Sequence, residues 1–232
     1  MANWNPFGRT NTETSIVNTV TIIGMGRFGQ SLALELMSIG VSVLAIDRDE
    51  EIISSLNGEV THAVIADATK EEVLRQLAIP EMDTVVVAIG DSIEANVLVS
   101  SLVLSLGIKD VWAKSVSTAH SRILRQIGVH HVVQPENEMG KRVAHLLHGR
   151  LQDWIEIGDG LTLVKTTPPA AVTGQPIRDV HIRSRYGVTV ISMKRGDAPW
   201  SDVTGDTVLH PSDEILVTGP SAKAEGFHQR QM

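Results

Sequence analysis

Cysteine is absent from the 232 residues, which removes disulfides, thiolate metal sites and thiol nucleophiles together and fits a reducing compartment. Long apolar runs are absent as well: none approaches the roughly 18–20 residues that a membrane-spanning helix needs. The opening stretch MANWNPFGRTNTETS has no apolar signal core, so residues 1–16 are expected to form a flexible tail. No run of basic residues occurs, and 20 Lys and Arg against 27 Asp and Glu leave a net charge of −7. That balance argues against nonspecific nucleic-acid binding, and no nucleic-acid partner is expected. Internal repeats, low-complexity tracts, a Ser–His–Asp arrangement and a nucleophile elbow are missing too. These absences leave a soluble intracellular chain, long enough for two modest domains, with no direct membrane insertion. If it acts at a membrane, it does so through a partner.

What is present is organised around VTIIGMGRFGQ, residues 20–30. An apolar run ends in Gly24-x-Gly26-x-x-Gly29 and passes directly into an apolar helical pattern. Such a pattern reads as a buried parallel strand, a tight turn and a helix whose free N–H groups point at a phosphate. Gly24 permits the turn, Gly26 allows close approach of backbone to phosphate, and Gly29 lets helix and strand pack. The glycine spacing alone is a weak signal. Its context strengthens it: a second strand, residues 41–46, ends at Asp47, 18 residues past Gly29, where an acid suits the ribose hydroxyls of an adenosine nucleotide. The alternative is a chance glycine-rich turn with Asp47 as a helix cap.

Strand and helix patterns then alternate to about Val133, with further strands at 61–66, 84–89, 110–113 and 130–133 and helices at 49–56, 70–79, 91–106 and 118–127. Continuous β-branched runs indicate strands covered on both faces, so the expected fold is α/β, a doubly wound (Rossmann-like) parallel sheet. Gln134-Pro135-Glu136 breaks the sheet, and an amphipathic helix follows at 139–147. Beyond Gly149 the pattern changes to short strands and turns. A hairpin is expected around Gly158-Asp159-Gly160, a loop at 166–175, a helix at 177–185, strands at 187–193 and 214–218, and a polar tail. The expected organisation is a nucleotide-binding domain at 17–135, a crossover helix at 136–150 and a smaller α+β domain at 151–232.

Several side chains fall at the carboxyl-end rim of the expected sheet. Met25, Arg27 and Phe28 lie inside the glycine turn, where the Arg27 guanidinium suits phosphate oxygens of its own or a neighbouring subunit's nucleotide, or is simply solvated. Asp67 and Ala68 follow the third strand, and Asp67 serves equally as a helix cap. Ala88, Ile89 and Gly90 would floor the base, and Lys114 ends the fifth strand on the same rim. Glu136 is a helix-start residue, or a ligand for a cation lying between it and the phosphates. The histidines form no metal set: His130 and His131 should point to opposite strand faces, and His145 and His148 should lie on a solvated helix face. A dehydrogenase needs a substrate pocket and a general acid or base beside its nicotinamide. The small second domain is a thin candidate for that role, which favours sensing over turnover.

The segments IIGMGRFGQSLALEL, VLAIDRDEEII, THAVIADAT, VVVAIG, VVQPENEMGKRVA and IRDVHIRSRYGVTVISMKRG resemble the RCK (KTN) family, in particular the KtrA/TrkA-type regulatory subunits of bacterial potassium uptake systems. The resemblance runs from about Asn18 to Gly219. It implies that the second domain is an RCK C-terminal domain. It also implies a non-enzymatic homo-oligomer, dimers closing into an octameric ring on the cytoplasmic face of a membrane potassium-translocating subunit of KtrB/TrkH type. The N-terminal domain would bind ATP or ADP, or NAD/NADH as in some relatives. By the resemblance Gly24, Gly26 and Gly29 match the phosphate loop, Asp47 the ribose-binding acid, and Arg27 the arginine that senses the γ-phosphate across the dimer. Glu136 matches the glutamate that joins a cation, Mg²⁺ or Ca²⁺, near the phosphates. Gln134 stands where relatives often have His, and Arg48 where some have Asn. Ile177, Arg178, His181 and Arg183 match positions that bind cyclic di-AMP in several relatives, although Arg178 replaces an apolar residue. The reading from another class is an NAD-dependent oxidoreductase or an NAD(H)-sensing protein.

Overall fold

The computed structural model describes residues 19–148 and 151–227, so the expected tail at 1–16 and residues 228–232 lie outside it. The chain divides between Glu136 and Asn137 into two units, each built on its own sheet.

In the first unit β1 (Thr19–Ile23), β2 (Ser42–Asp47), β3 (His62–Ile65), β4 (Thr84–Val87), β5 (Asp110–Lys114) and β6 (His131–Val133) form a parallel sheet. The strand order is β3-β2-β1-β4-β5-β6, so the chain reverses its direction of travel between β1 and β4. Connecting them are α1 (Arg27–Ser38), α2 (Glu50–Ser55), α3 (Glu71–Gln76), α4 (Ile93–Ser105) and α5 (Thr118–Gln126). Successive strand residues face opposite sides, and the apolar runs therefore feed two cores. Ile23, Leu44, Ile46, Val85 and Val87 pack with Val99 and Val103 of α4 and Leu124 of α5. Val20, Ile22, Val43, Ala45 and Val86 pack on the other face with Ala33 of α1 and Ile53 of α2. Both faces of the sheet are covered, as the β-branched runs require.

Side-chain oxygens set three of the helix starts. Asp49 accepts from the Glu51 and Ile52 N–H groups, Ser92 from Ala95 and Ser117 from His120, each satisfying donors that a helix leaves free. The single helix expected at 70–79 is shorter. It ends at Gln76, Ala78 takes a left-handed φ of 55°, and a 3₁₀ turn at Ile79–Glu81 carries Pro80 while burying Ile79. His130 precedes β6 rather than lying in it, and its Nδ1 accepts from the Val111 N–H at 3.0 Å. His131 stacks on Trp112, ring centroids 4.1 Å apart, with Asp110 3.2 Å from its Nε2.

From the first unit the chain passes into the second along α6 (Pro135–His148). This helix begins earlier than the expected 139, because proline is accommodated at a first helical position whose N–H has no partner in any case. The second unit comprises β7 (Asp153–Gly158), β8 (Leu161–Thr166), α7 (Ile177–Val180), α8 (Ile182–Tyr186), β9 (Thr189–Lys194), β10 (Ser201–Asp202), β11 (Glu214–Pro220) and α9 (Ser221–Glu225). Its antiparallel sheet runs β10-β9-β11-β8-β7. The helix expected at 177–185 is broken at His181, φ 54°, so that Val180 and Ile182 both enter the core. In place of the start of a polar tail, α9 follows β11 and Phe227 is buried. His145 is not on a solvated face: it stacks on Trp154 with centroids 4.0 Å apart, and its Nδ1 lies 3.3 Å from Glu225. The side chain of His148 is outside the described set.

Asp213 is the fully buried carboxylate of this unit. It accepts two bonds from Arg195 at 2.8 Å and one from the His210 N–H at 2.8 Å. The Arg195 guanidinium holds its carboxyl below the usual range. A depressed folded pKa stabilises the fold above the ordinary carboxylate pKa, and that contribution is lost as pH falls through the lower, folded value. Asp213→Ala is therefore expected to lower the melting temperature of the second unit by about 5–10 °C at pH 7, with the deficit shrinking below about pH 4. Calorimetry across pH checks both parts.

Candidate functional site

A cleft of about 1010 Å³ opens at the carboxyl ends of the strands around β1 and β4. That is the topological switch point, where open parallel sheets hold their ligands. Gly24, Gly26, Arg27, Phe28, Asp47, Arg48, Asp67, Ala68, Ala88, Ile89, Gly90, Lys114 and Glu136 all line it. Met25 and Gly29 do not: both are buried beneath the turn, and they shape the cleft from behind.

The three glycines have separate physical reasons. Gly24 has a φ of 97°, and a Cβ there would come within 2.8 Å of the Ile89 nitrogen. On Gly29 a Cβ would fall 2.1 Å from the Gly24 carbonyl oxygen. Gly26 differs. Its φ of −64° suits any residue, it is exposed, and a Cβ there would meet nothing within 4 Å. No protein atom demands glycine at 26, and its bare backbone leaves open space on the cleft side of the turn. Gly26 is also the N-cap of α1, whose first N–H groups lack intrahelical partners. This cradle fits a phosphate-bearing group.

Asp47 is tied to the turn. Its Oδ2 accepts from the Met25 N–H at 2.6 Å and its Oδ1 from the Asp49 N–H at 3.0 Å. A carboxylate offers about four lone-pair sites, so two remain for hydroxyl donors. Asp67 forms a local turn, accepting from the Thr69 hydroxyl at 2.6 Å and the Thr69 N–H at 3.1 Å. The Thr69 hydroxyl is the main cause of its lowered pKa. It does not cap α3, whose N-cap is Lys70. Arg48 pairs with Asp91 at 3.1 Å, joining two exposed residues of the cleft rim.

Lys114 faces the cleft and is buried. Its ammonium lies 2.7 Å from Glu136 Oε1 and 5.8 Å from the centre of the Phe28 ring. The Lys114 hydrogen bond is the chief cause of the lowered Glu136 pKa, and the Arg27 charge adds to it. Among the described residues no group of three or more His, Cys, Asp or Glu could hold a metal. Glu136 thus stands at the cleft wall as a lone carboxylate paired with Lys114, without further carboxylates or histidines among those residues grouped around it for a metal.

Asn96 supports the site and was not singled out by sequence. Fully buried in α4, its amide nitrogen donates to the Ile89 carbonyl at 2.7 Å and the Lys114 carbonyl at 3.0 Å, tying the loop just after β4 to the end of β5. An amide among the apolar residues and serines of α4 was the available signal. His120 is buried at the start of α5 with its pKa pushed down by burial, and does not line the cleft. In the second unit the four other candidates lie along α7 and α8. Ile177 packs against the core, Arg178 bonds Asp206, His181 is the exposed left-handed residue, and Arg183 Nε donates to the Thr189 hydroxyl at 3.2 Å.

Strand order, bare glycine turn and strand-end acid define a Rossmann-type domain with a cleft at its switch point, followed by a small antiparallel-sheet domain. Residues 20–135 match the TrkA-N domain and residues 161–230 the TrkA-C domain. Ktr system potassium uptake protein C of Bacillus subtilis is 33% identical over 210 residues, covering 90% of this chain and 95% of that protein. Ktr system potassium uptake protein A of Vibrio alginolyticus is 33% identical over 203 residues, covering 87% and 92%. In fold, the crystal structure of the GsuK RCK domain superposes with a TM-score of 0.64 at 18% identity, covering 95% of this chain and 50% of that one. The chain belongs to the TrkA-N/TrkA-C family of Ktr-type potassium uptake proteins.

Proposed function

We propose that this chain is a non-catalytic, nucleotide-binding regulatory subunit of a potassium uptake system. Its relatives carry that system's name over nearly their whole length. The observation that carries the nucleotide part is the bare Gly26 backbone with Arg27 beside it at the head of α1. Adenine nucleotide phosphates would sit on that turn, the ribose near Asp47 and the base over Ala88–Gly90. Arg27 would contact the γ-phosphate of ATP, on its own or a neighbouring subunit, and ADP would lack that contact. A ligand shifts a two-state protein only through such differential contacts. Copies would assemble as dimers in an octameric ring. That ring would act at the cytoplasmic face of the membrane on a potassium-translocating subunit of KtrB/TrkH type, which supplies the only route across the bilayer in this reading.

Arg27→Ala tests it. ADP affinity is expected to stay within about twofold, while the ATP-over-ADP preference falls about tenfold, the worth of one charge-assisted contact to phosphate. Calorimetric titration of both nucleotides reads this directly, and an unchanged preference would remove Arg27 as the sensor. Thermal-shift comparison of ATP, ADP, NADH and cyclic di-AMP places the alternatives side by side. Stabilisation by NADH alone would favour an NAD(H)-binding role, and a shift with cyclic di-AMP that Arg183→Ala removes would assign the α7–α8 residues to that ligand.

A further inference from the structure

The cleft contains a cation of its own. Lys114 leaves β5 with its side chain 11% exposed, and its ammonium rests on Glu136 Oε1 at 2.7 Å. Room for it comes from Gly90, where a Cβ would approach Nζ to 3.1 Å, and the Phe28 ring lies 5.8 Å away. Asn96 fixes the Lys114 backbone through its carbonyl. The ammonium is therefore held at the cleft wall by a glycine gap, an aromatic face and an anchored strand end. An ammonium has three N–H donors in a compact point charge, and Glu136 Oε1 is its ion-pair partner. Glu136 is the more exposed partner, 67% against 11%, so the carboxylate moves at lower cost than the buried ammonium.

We propose that Lys114 is the built-in counter-cation of the nucleotide phosphates and competes with a divalent ion for Glu136. The proposal rests on the nucleotide reading of the cleft. Lys114 holds Glu136 Oε1 at 2.7 Å, and a divalent ion on the other oxygen of the same carboxylate would stand a few ångströms from the ammonium and be repelled by it. With Lys114 on Glu136 the carboxylate is neutralised and a divalent ion gains little there. Phosphate oxygens draw the ammonium off, and only then does Glu136 present a free charge to a metal. Nucleotide binding is thus metal-independent at its base, and Mg²⁺ adds to it through Glu136.

The experiment titrates ATP into the purified full-length protein in EDTA and in excess MgCl₂, by calorimetry, for wild type, Lys114→Gln and Glu136→Gln. Melting temperatures are recorded without nucleotide. Wild type is expected to bind in EDTA, with a modest gain from Mg²⁺. Lys114→Gln is expected to lose about tenfold in EDTA and to regain most of it in Mg²⁺, so its metal dependence exceeds that of wild type. Glu136→Gln frees the ammonium, and is expected to bind at least as tightly as wild type in EDTA while losing the Mg²⁺ gain. Equal EDTA affinities for wild type and Lys114→Gln would overturn the proposal. So would a Glu136→Gln protein that retains the full Mg²⁺ gain, which holds even if Lys114→Gln fails to fold. A wild type that binds ATP in neither buffer overturns the nucleotide reading itself.

Discussion

Gly29→Ala is expected to destabilise the first unit by about 3 kcal/mol or more and to abolish stabilisation by ATP. The added methyl would stand 2.1 Å from the Gly24 carbonyl oxygen and 3.2 Å from its carbon, both backbone atoms. The turn has no direction in which to retreat. The Gly24 N–H is bound to the Ile46 carbonyl at 2.8 Å, and Gly24 itself is packed against the Ile89 backbone. Either α1 lifts from the sheet, exposing core residues such as Ala33, or the turn opens and the cradle is lost. Urea unfolding followed by circular dichroism measures the first cost. Gly26→Ala is the matched control. Its φ of −64° and empty surroundings predict wild-type stability within about 0.5 kcal/mol, with ATP affinity reduced because the methyl projects into the ligand's space. A Gly26→Ala protein that binds ATP as tightly as wild type would show that phosphates do not approach this turn.

That contrast shows what could be read before the structure. Three glycines at fixed spacing, β-branched runs and an acid at a strand end are local patterns, and each forces one geometry: turn, buried strand, rim carboxylate. The repeated strand–helix units call for a doubly wound parallel sheet, but right-handed crossovers leave several strand orders open, and the order β3-β2-β1-β4-β5-β6 came from the structure. Lys114 was legible only as a rim residue. Its direction depends on the gap at Gly90 and on Glu136, 22 positions later, a tertiary coincidence that no local pattern encodes. Asn96 was hidden for the same reason, its two acceptors being the Ile89 carbonyl in the loop after β4 and the Lys114 carbonyl at the end of β5. His145 was misread because its stacking on Trp154 is set by a neighbouring strand and not by helical period. His181 broke a helix that its sequence allowed, because burying both Val180 and Ile182 outweighed local continuity.

Asp47→Asn is expected to lower adenine nucleotide affinity about 100-fold, and the loss has two separable sources. The carboxylate bonds the Met25 N–H at 2.6 Å and the Asp49 N–H at 3.0 Å, one on each oxygen. An amide keeps one acceptor oxygen and replaces the other with a donor, so one of these N–H groups faces an NH₂ and is left unpaired. If that is the Met25 N–H, the glycine turn is loosened just where Gly26 presents its backbone, and every phosphate-bearing ligand suffers alike. The second source is the ribose. Hydroxyl bonds to a charged acceptor are stronger than those to an amide oxygen. Titrating ATP and 2′,3′-dideoxy-ATP into both proteins separates the two. Wild type is expected to prefer ATP by about tenfold; in Asp47→Asn that preference should fall towards unity, and the affinity lost by 2′,3′-dideoxy-ATP, which has no ribose hydroxyl to offer, reports the loosened turn alone. An Asp47→Asn protein that kept the full preference would assign Asp47 to the turn and leave the ribose to another partner.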